Sequence, residues 1–246
     1  MTQRTRLLDY TLIVLATVFG IGSILLLVAS GSSRFTHFGW SETNILLWDT
    51  LLSVVFFVQH SGMVRRTFRV HLTAVVDSRY HGAIYTIASG IALSVVVIFW
   101  QRSDTGLLVL QGIPRQIATA CSFLAIFVFA LSAYSLRSFD PLGIGPIRAR
   151  LRSIDYQPGP FVVRGPYRWV RHPLYSCILV LFWANPDLTV DQLLFDVLWT
   201  GWIWIGTVLE ERDLAREFGD VYRRYQKAVP MLVPWRGPVA KTAFDF

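Results

Sequence analysis

Two stretches of the chain gather side chains that can bind a polar ligand or move a proton. One runs Arg164-Gly165-Pro166-Tyr167-Arg168-Trp169-Val170-Arg171-His172-Pro173-Leu174-Tyr175. The other begins Glu210-Glu211-Arg212-Asp213 and continues through Phe218-Gly219 to Tyr222-x-x-Tyr225 and Val229-Pro230. A third group, Gln59-His60-Ser61, closes an otherwise apolar run, and an ionisable group at membrane depth is by default a candidate for function. His60 is therefore a candidate base, and its structural alternative is a helix-end histidine bonded to a neighbour. Asp140 is a second candidate base. His60 and His81 together could also supply two axial ligands to a haem in a helical bundle, which would make the chain a redox or isomerase protein. The nearest approach to a Gly-rich nucleotide turn, Gly20-Ile21-Gly22, lies inside an apolar run, which excludes a dinucleotide-binding domain. Cys121 and Cys177 also sit in apolar segments, where a lone cysteine acts as a small hydrophobe. Neither a disulfide nor a metal site is expected.

The elements that must position these groups are membrane helices. Of 246 residues, 53% are hydrophobic and 16% charged, against roughly 25% charged in soluble domains. No charged side chain lies between Asp9 and Arg34, between Gly82 and Gln101, or between Arg115 and Arg137. Each run exceeds the ~20 residues that cross a bilayer as a helix. A fourth, about Asn44 to Met63, carries only Asp49 near its start. Beyond these, Pro173 to Asn185 and Leu188 to Leu209 read as a helical hairpin whose first arm is short. The expected fold class is all-α: a polytopic bundle of four spans plus this hairpin, five or six spans in all, with a cytosolic cofactor pocket. The N-terminal membrane region is placed at 1–136 and the functional region at 137–246. Gly145-Pro146 and Gly159-Pro160 mark turns in the polar segment that opens the second region. The segment from Glu210 to Trp235 has the spacing of an amphipathic helix broken near Gly219.

With the N-terminus inside, 20 of the 23 Lys and Arg fall on the inner side, and only Arg34, Arg102 and Arg115 do not. The positive-inside rule then puts both termini in the cytoplasm. The net charge of +7 is collected at span ends, where it answers anionic headgroups, so nucleic acid is not an expected partner.

The run Gly165-x-Tyr167-x-x-x-Arg171-His172-Pro173-x-Tyr175 resembles a signature of the isoprenylcysteine carboxyl methyltransferase superfamily, integral-membrane enzymes that use S-adenosyl-L-methionine (SAM). About 35 residues later, Glu210-Glu211-x-x-Leu214-x-x-x-Phe218-Gly219-x-x-Tyr222-x-x-Tyr225-x-x-x-Val229-Pro230 resembles the second signature. The superfamily includes prenylcysteine carboxyl, phospholipid amine and bacterial thiol methyltransferases. Phe57-Val58-Gln59-His60-Ser61-x-Met63-x-Arg65, Tyr85 and Ser89, Phe139-Asp140-x-x-Gly143, and Phe182-Trp183-Ala184-x-Pro186 are similar to the bacterial methanethiol S-methyltransferases. The arginine that isoprenylcysteine enzymes carry just before the paired glutamates is absent from Gly206-Thr207-Val208-Leu209, which counts against a carboxylate-binding acceptor mode.

The resemblance implies SAM as cofactor, and a small thiol, methanethiol going to dimethyl sulfide, or else a lipid-like molecule as methyl acceptor. It implies an integral protein of the bacterial inner membrane. Tyr167, Arg168, Arg171, His172, Tyr175, Glu210, Glu211, Tyr222 and Tyr225 would form the cofactor site. His60, Asp140 and Glu210 are the catalytic candidates. Each also has a structural explanation when taken singly: Arg171 as an interfacial anchor, the glutamates as the point where a span leaves the membrane, Tyr225 as belt packing.

Overall fold

The long apolar runs become long helices because hydrocarbon offers no partner to a backbone N–H or C=O, so each segment must satisfy its own. The structure, a computed structural model, describes residues 3–30, 35–136, 140–157, 159 and 161–240. Arg34, Arg137, Phe139 and Pro160, which enter the sequence reading, lie outside the described residues. Nine α-helices occur in the described residues: α1 Gln3–Ser30, α2 Glu42–Val64, α3 Arg66–Thr73, α4 His81–Phe99, α5 Gly112–Ser135, α6 Gly145–Leu151, α7 Pro173–Trp183, α8 Val190–Phe218 and α9 Asp220–Ala228. Five of the helical stretches are long and apolar enough to cross a membrane: Gln3–Val28, Glu42–Val64, Ser78–Phe99, Gly112–Ser135 and Val190–Phe218. The expected all-α polytopic fold, four spans and a C-terminal hairpin, is what the structure contains. The short arm α7 has 11 residues, about 17 Å at 1.5 Å per residue, roughly half of a ~30 Å hydrocarbon core.

The chain divides into two compact units, residues 1–103 with 140–158, and residues 104–139 with 159–246. In the first, α1 packs against α4 at close range because Gly90 has no side chain: a Cβ there would lie 2.6 Å from the Phe19 carbonyl carbon. Gly82 and Gly143 meet backbone to backbone in the same way, and Gly143 has φ +63°. Around these contacts sit Ala16, Tyr80, Ala83, Ile144 and Ile147. One buried polar knot ties α1 to α6. The Tyr80 hydroxyl donates to Asp9 Oδ1 at 2.9 Å, Arg150 Nη1 donates to the Tyr80 oxygen at 2.6 Å, and Arg150 Nε stands 3.4 Å from Asp9 Oδ2.

In the second unit α7 and α8 form the hairpin, and Phe182, Phe195 and Trp199 pack between them, with Phe195 stacked on Trp199 at 4.7 Å. Its tip is held by a short antiparallel pair absent from the sequence reading, β1 Gly106–Val109 with β2 Asp187–Thr189. Arg115 grips Asp187 there through two 2.8 Å hydrogen bonds. The break near Gly219 is present, at φ +58°. The helix before it is α8 itself, continuous through Glu210 and Glu211, and the amphipathic helix after it is α9.

Candidate functional site

His172 precedes Pro173, which fixes the first turn of α7, so the side chains of Arg171, His172 and Tyr175 emerge together at one helix N-terminus. Glu210 and Glu211 lie near the end of α8. Within the second unit these two ends meet.

Glu211 is 7% exposed and is saturated. Its Oε1 accepts from Arg171 Nε at 2.5 Å and from His172 Nε2 at 3.1 Å; its Oε2 accepts from Arg171 Nη2 at 2.8 Å and from Gln226 Nε2 at 3.0 Å. A carboxylate bound in both directions by a guanidinium is an acceptor only, so His172 carries its hydrogen on Nε2. The two Nη1 donors of Arg171 go to the carbonyls of Gln226 and Val229. The tail beyond α9 is stitched to the start of α7 as well: Arg171 N–H donates to Pro230 O at 2.8 Å, and His172 N–H to Met231 O at 3.1 Å. Three of the expected site residues, Arg171, His172 and Glu211, are therefore spoken for by the fold or shared with it, and the reason is electrostatic. A buried ion pair is tolerable only when every donor and acceptor is satisfied.

Glu210 differs. Its side chain is 44% exposed, its Oε2 accepts the Tyr175 hydroxyl at 2.9 Å, and its Oε1 has no partner among the described residues. His172 Nδ1 stands 3.9 Å from the same Oε2, and the His172 and Tyr175 rings lie parallel at 5.5 Å with 4° between their planes. This leaves one accessible carboxylate oxygen beside a flat two-ring wall, an arrangement suited to a ligand with amino or hydroxyl donors.

The tyrosines support this from below. Tyr222 and Tyr225 are 2% and 3% exposed, packed with Phe161 and Phe218, and the Tyr225 hydroxyl donates to Tyr167 O at 2.6 Å. Burial pushes the phenols of Tyr167, Tyr222 and Tyr225 all well above the ordinary tyrosine range, so they are neutral hydrogen-bonding groups. Arg168 Nε donates to Val239 O at 2.6 Å, and Val239 N–H returns a bond to Arg168 O at 3.1 Å, anchoring the tail. Gln226 was missed in the sequence. Its only signal is helical spacing, four residues past Tyr222 in α9.

The other two candidates belong to the first unit. His60, on α2, meets the Tyr85 hydroxyl of α4 at 2.7 Å from Nε2, with its ring 5.2 Å from Phe56. Gln59 Oε1 and Ser89 Oγ are buried there without a hydrogen-bond partner. Asp140 accepts Ile144 N–H at 3.1 Å and Gly145 N–H at 2.5 Å, one on each oxygen, at the start of α6. His81 is not paired with His60: its Nε2 faces Val76 O at 3.1 Å. No group of three or more His, Cys, Asp or Glu that could hold a metal ion occurs among the described residues.

The fold and this charged cluster define a polytopic α-helical membrane protein with a polar site built where a short apolar helix begins and a long one ends. The profile of the NnrU protein family matches residues 50–240. Methanethiol S-methyltransferase of Pseudomonas deceptionensis is 36% identical over 197 residues, 80% of this chain and 75% of that protein. The Mycobacterium tuberculosis protein of the same name is 34% identical over 76% of this chain and 77% of its own length. Nurim of Rattus norvegicus is more distant, 24% identical over 74% and 72%. The chain belongs to the NnrU protein family and shares a family with the methanethiol S-methyltransferases. No solved structure matches it.

Proposed function

We propose that this chain is an integral-membrane, SAM-dependent methyltransferase that S-methylates a small thiol, converting methanethiol to dimethyl sulfide. The observation that carries the reading is its likeness to relatives named methanethiol S-methyltransferase, 36% identical across 80% of the chain. The site is compatible with it. Glu210 offers a free carboxylate oxygen to the amino or hydroxyl groups of a cofactor, and His172 and Tyr175 offer a planar wall. Tyr167, Arg168, Arg171, Glu211, Tyr222 and Tyr225 hold that wall in place.

Bound SAM supplies a methyl group on a sulfonium sulfur, open to in-line attack. The protein's task is to hold, align and exclude water. A thiol reacts as its thiolate, and we assign the proton acceptor to His60, held by Tyr85, with Asp140 as the second candidate. Cofactor binding is assigned to residues 137–246. Both termini and the cofactor site are placed on the cytoplasmic side of a bacterial inner membrane, supported by 20 of 23 Lys and Arg on that side and by the bacterial relatives.

The test is calorimetric titration of SAM into detergent-purified protein, followed by methanethiol addition and headspace detection of dimethyl sulfide. Binding with product is the expected result. Binding without product would move the acceptor to a prenylcysteine carboxylate or a phospholipid amine, and no binding by folded protein would end the methyltransferase reading. His60→Ala should keep SAM affinity and lower turnover; unchanged turnover would return His60 to a packing role.

A further inference from the structure

The tail that closes the cluster also builds a second feature. Beyond α9 it crosses the first turn of α7, where Ser176 Oγ adds a 2.7 Å bond to Leu232 O to those made by Arg171 and His172. It leaves a cleft of about 340 Å³ at the point where the chain enters the apolar helix. Its polar wall is Arg171, Lys227 and Arg236, and its apolar wall is Pro230, Met231 and Trp235. Among the described residues no carboxylate lines it. The charge of Arg171 is answered beneath by Glu211, which leaves Lys227 and Arg236. The Lys227 ammonium makes no hydrogen bond among the described residues. Arg236 is held in place, its guanidinium 4.1 Å over the Trp235 ring and its Nη1 donating to Lys227 O at 3.1 Å.

The surroundings are one-sided in charge. From Gly219 to Ala240 the single carboxylate, Asp220, pairs with Arg223 at 3.0 Å, against the four cations Arg223, Arg224, Lys227 and Arg236. Beside this charge the chain exposes large apolar side chains, Val233 at 67% and Trp235 at 65%. Exposed Trp and cations together are how a segment lies in a membrane interface, with rings at headgroup depth and basic groups on phosphates.

We propose that this cleft binds the phosphate headgroup of an anionic phospholipid, with Lys227 and Arg236 on the phosphate and Trp235 in the interface. The bound lipid holds α9 and the tail against the bilayer, and with them the strand of carbonyls that grips Arg171. The inference stands independently of the methyl-transfer reading.

The test uses the full chain in neutral detergent and measures thermal stabilisation as phosphatidylglycerol or phosphatidylcholine is titrated in. Phosphatidylglycerol should stabilise at lower concentration. Replacing both cations, Lys227→Gln with Arg236→Gln, should weaken that apparent affinity roughly 30-fold, from about 1 kcal/mol per basic side chain at 1.4 kcal/mol per decade. Lys227→Gln alone, which breaks no bond within the protein, should weaken it roughly fivefold. SAM affinity should stay unchanged in both. Equal response to the two lipids, a variant response like that of the parent chain, or full reproduction of the effect by inorganic phosphate would each overturn the proposal. So would a parallel loss of SAM affinity, which would make the cleft part of the cofactor site.

Discussion

Replacing Glu211 by alanine removes the acceptor of four hydrogen bonds at once, from Arg171 Nε and Nη2, His172 Nε2 and Gln226 Nε2. The side chains of Arg171 and Glu211 are each 9% exposed and that of His172 is 7% exposed, so water cannot replace the lost partner. Breaking a buried pair by deleting one member costs about 3 to 5 kcal/mol, because the other charge stays buried. That corresponds to a shift of roughly 10² to 4 × 10³ in the unfolding equilibrium. Glu210→Ala, one residue earlier, removes a side chain that is 44% exposed and loses one hydrogen bond, from Tyr175, a cost of about 1 kcal/mol or less. The assay is paired: thermal unfolding in detergent for stability and calorimetry for SAM. Glu211→Ala should unfold far more easily, whereas Glu210→Ala should unfold near the parent temperature and yet lose SAM binding, as should His172→Ala with its helical content intact. Equal destabilisation by the two glutamate substitutions would refute the division of labour drawn from their burial. Full SAM affinity in Glu210→Ala would refute its place in the cofactor site.

Three further outcomes follow from other parts of the structure. Arg150→Met should lower stability by roughly 3 kcal/mol or more, because Asp9, 0% exposed, is left with only the Tyr80 hydroxyl; denaturation that matches the parent protein would show the knot to be dispensable. Gly90→Ala should cost about 1 to 3 kcal/mol, since its Cβ would lie 2.6 Å from backbone of α1, and a neutral result in the same assay would mean that α1 slides freely on α4. Above pH 10, stability should fall. Tyr167, Tyr222 and Tyr225 have folded pKa values above the unfolded ~10, so their contribution is complete below that pH and is lost as the unfolded chain ionises first. A tyrosinate titration in which all nine tyrosines ionise near pH 10 while the helices persist would contradict this.

How far the fold could be read from the chain depended on which forces act locally. A run such as Gly82 to Gln101 states its own structure, because a charge-free stretch of that length in hydrocarbon has no option but a helix, and α4 ends within two residues of it. Gly219 announced its break for the same reason, since the backbone there is left-handed and glycine adopts that conformation without a side-chain clash. The β1–β2 pair gave no such signal. Four residues and three residues pair across a long separation, and nothing in the spacing of Arg115 and Asp187, 72 positions apart, marks them as partners. The candidate site shows the same boundary. The resemblance of two runs to family signatures picked out Arg171, His172, Tyr175, Glu210 and Glu211 as a set, but two adjacent glutamates look identical on paper. Helix rotation separates them: about 100° per residue turns Glu211 into the junction with α7 and leaves Glu210 facing outward. Burial then converts one carboxylate into a clamp and leaves the other able to meet a ligand. In the proposed function, a pair that the sequence presents as a single motif divides two roles, and the structural one is the condition for the chemical one, because the clamp fixes His172 and the tail beside the Glu210 oxygen that has no partner among the described residues.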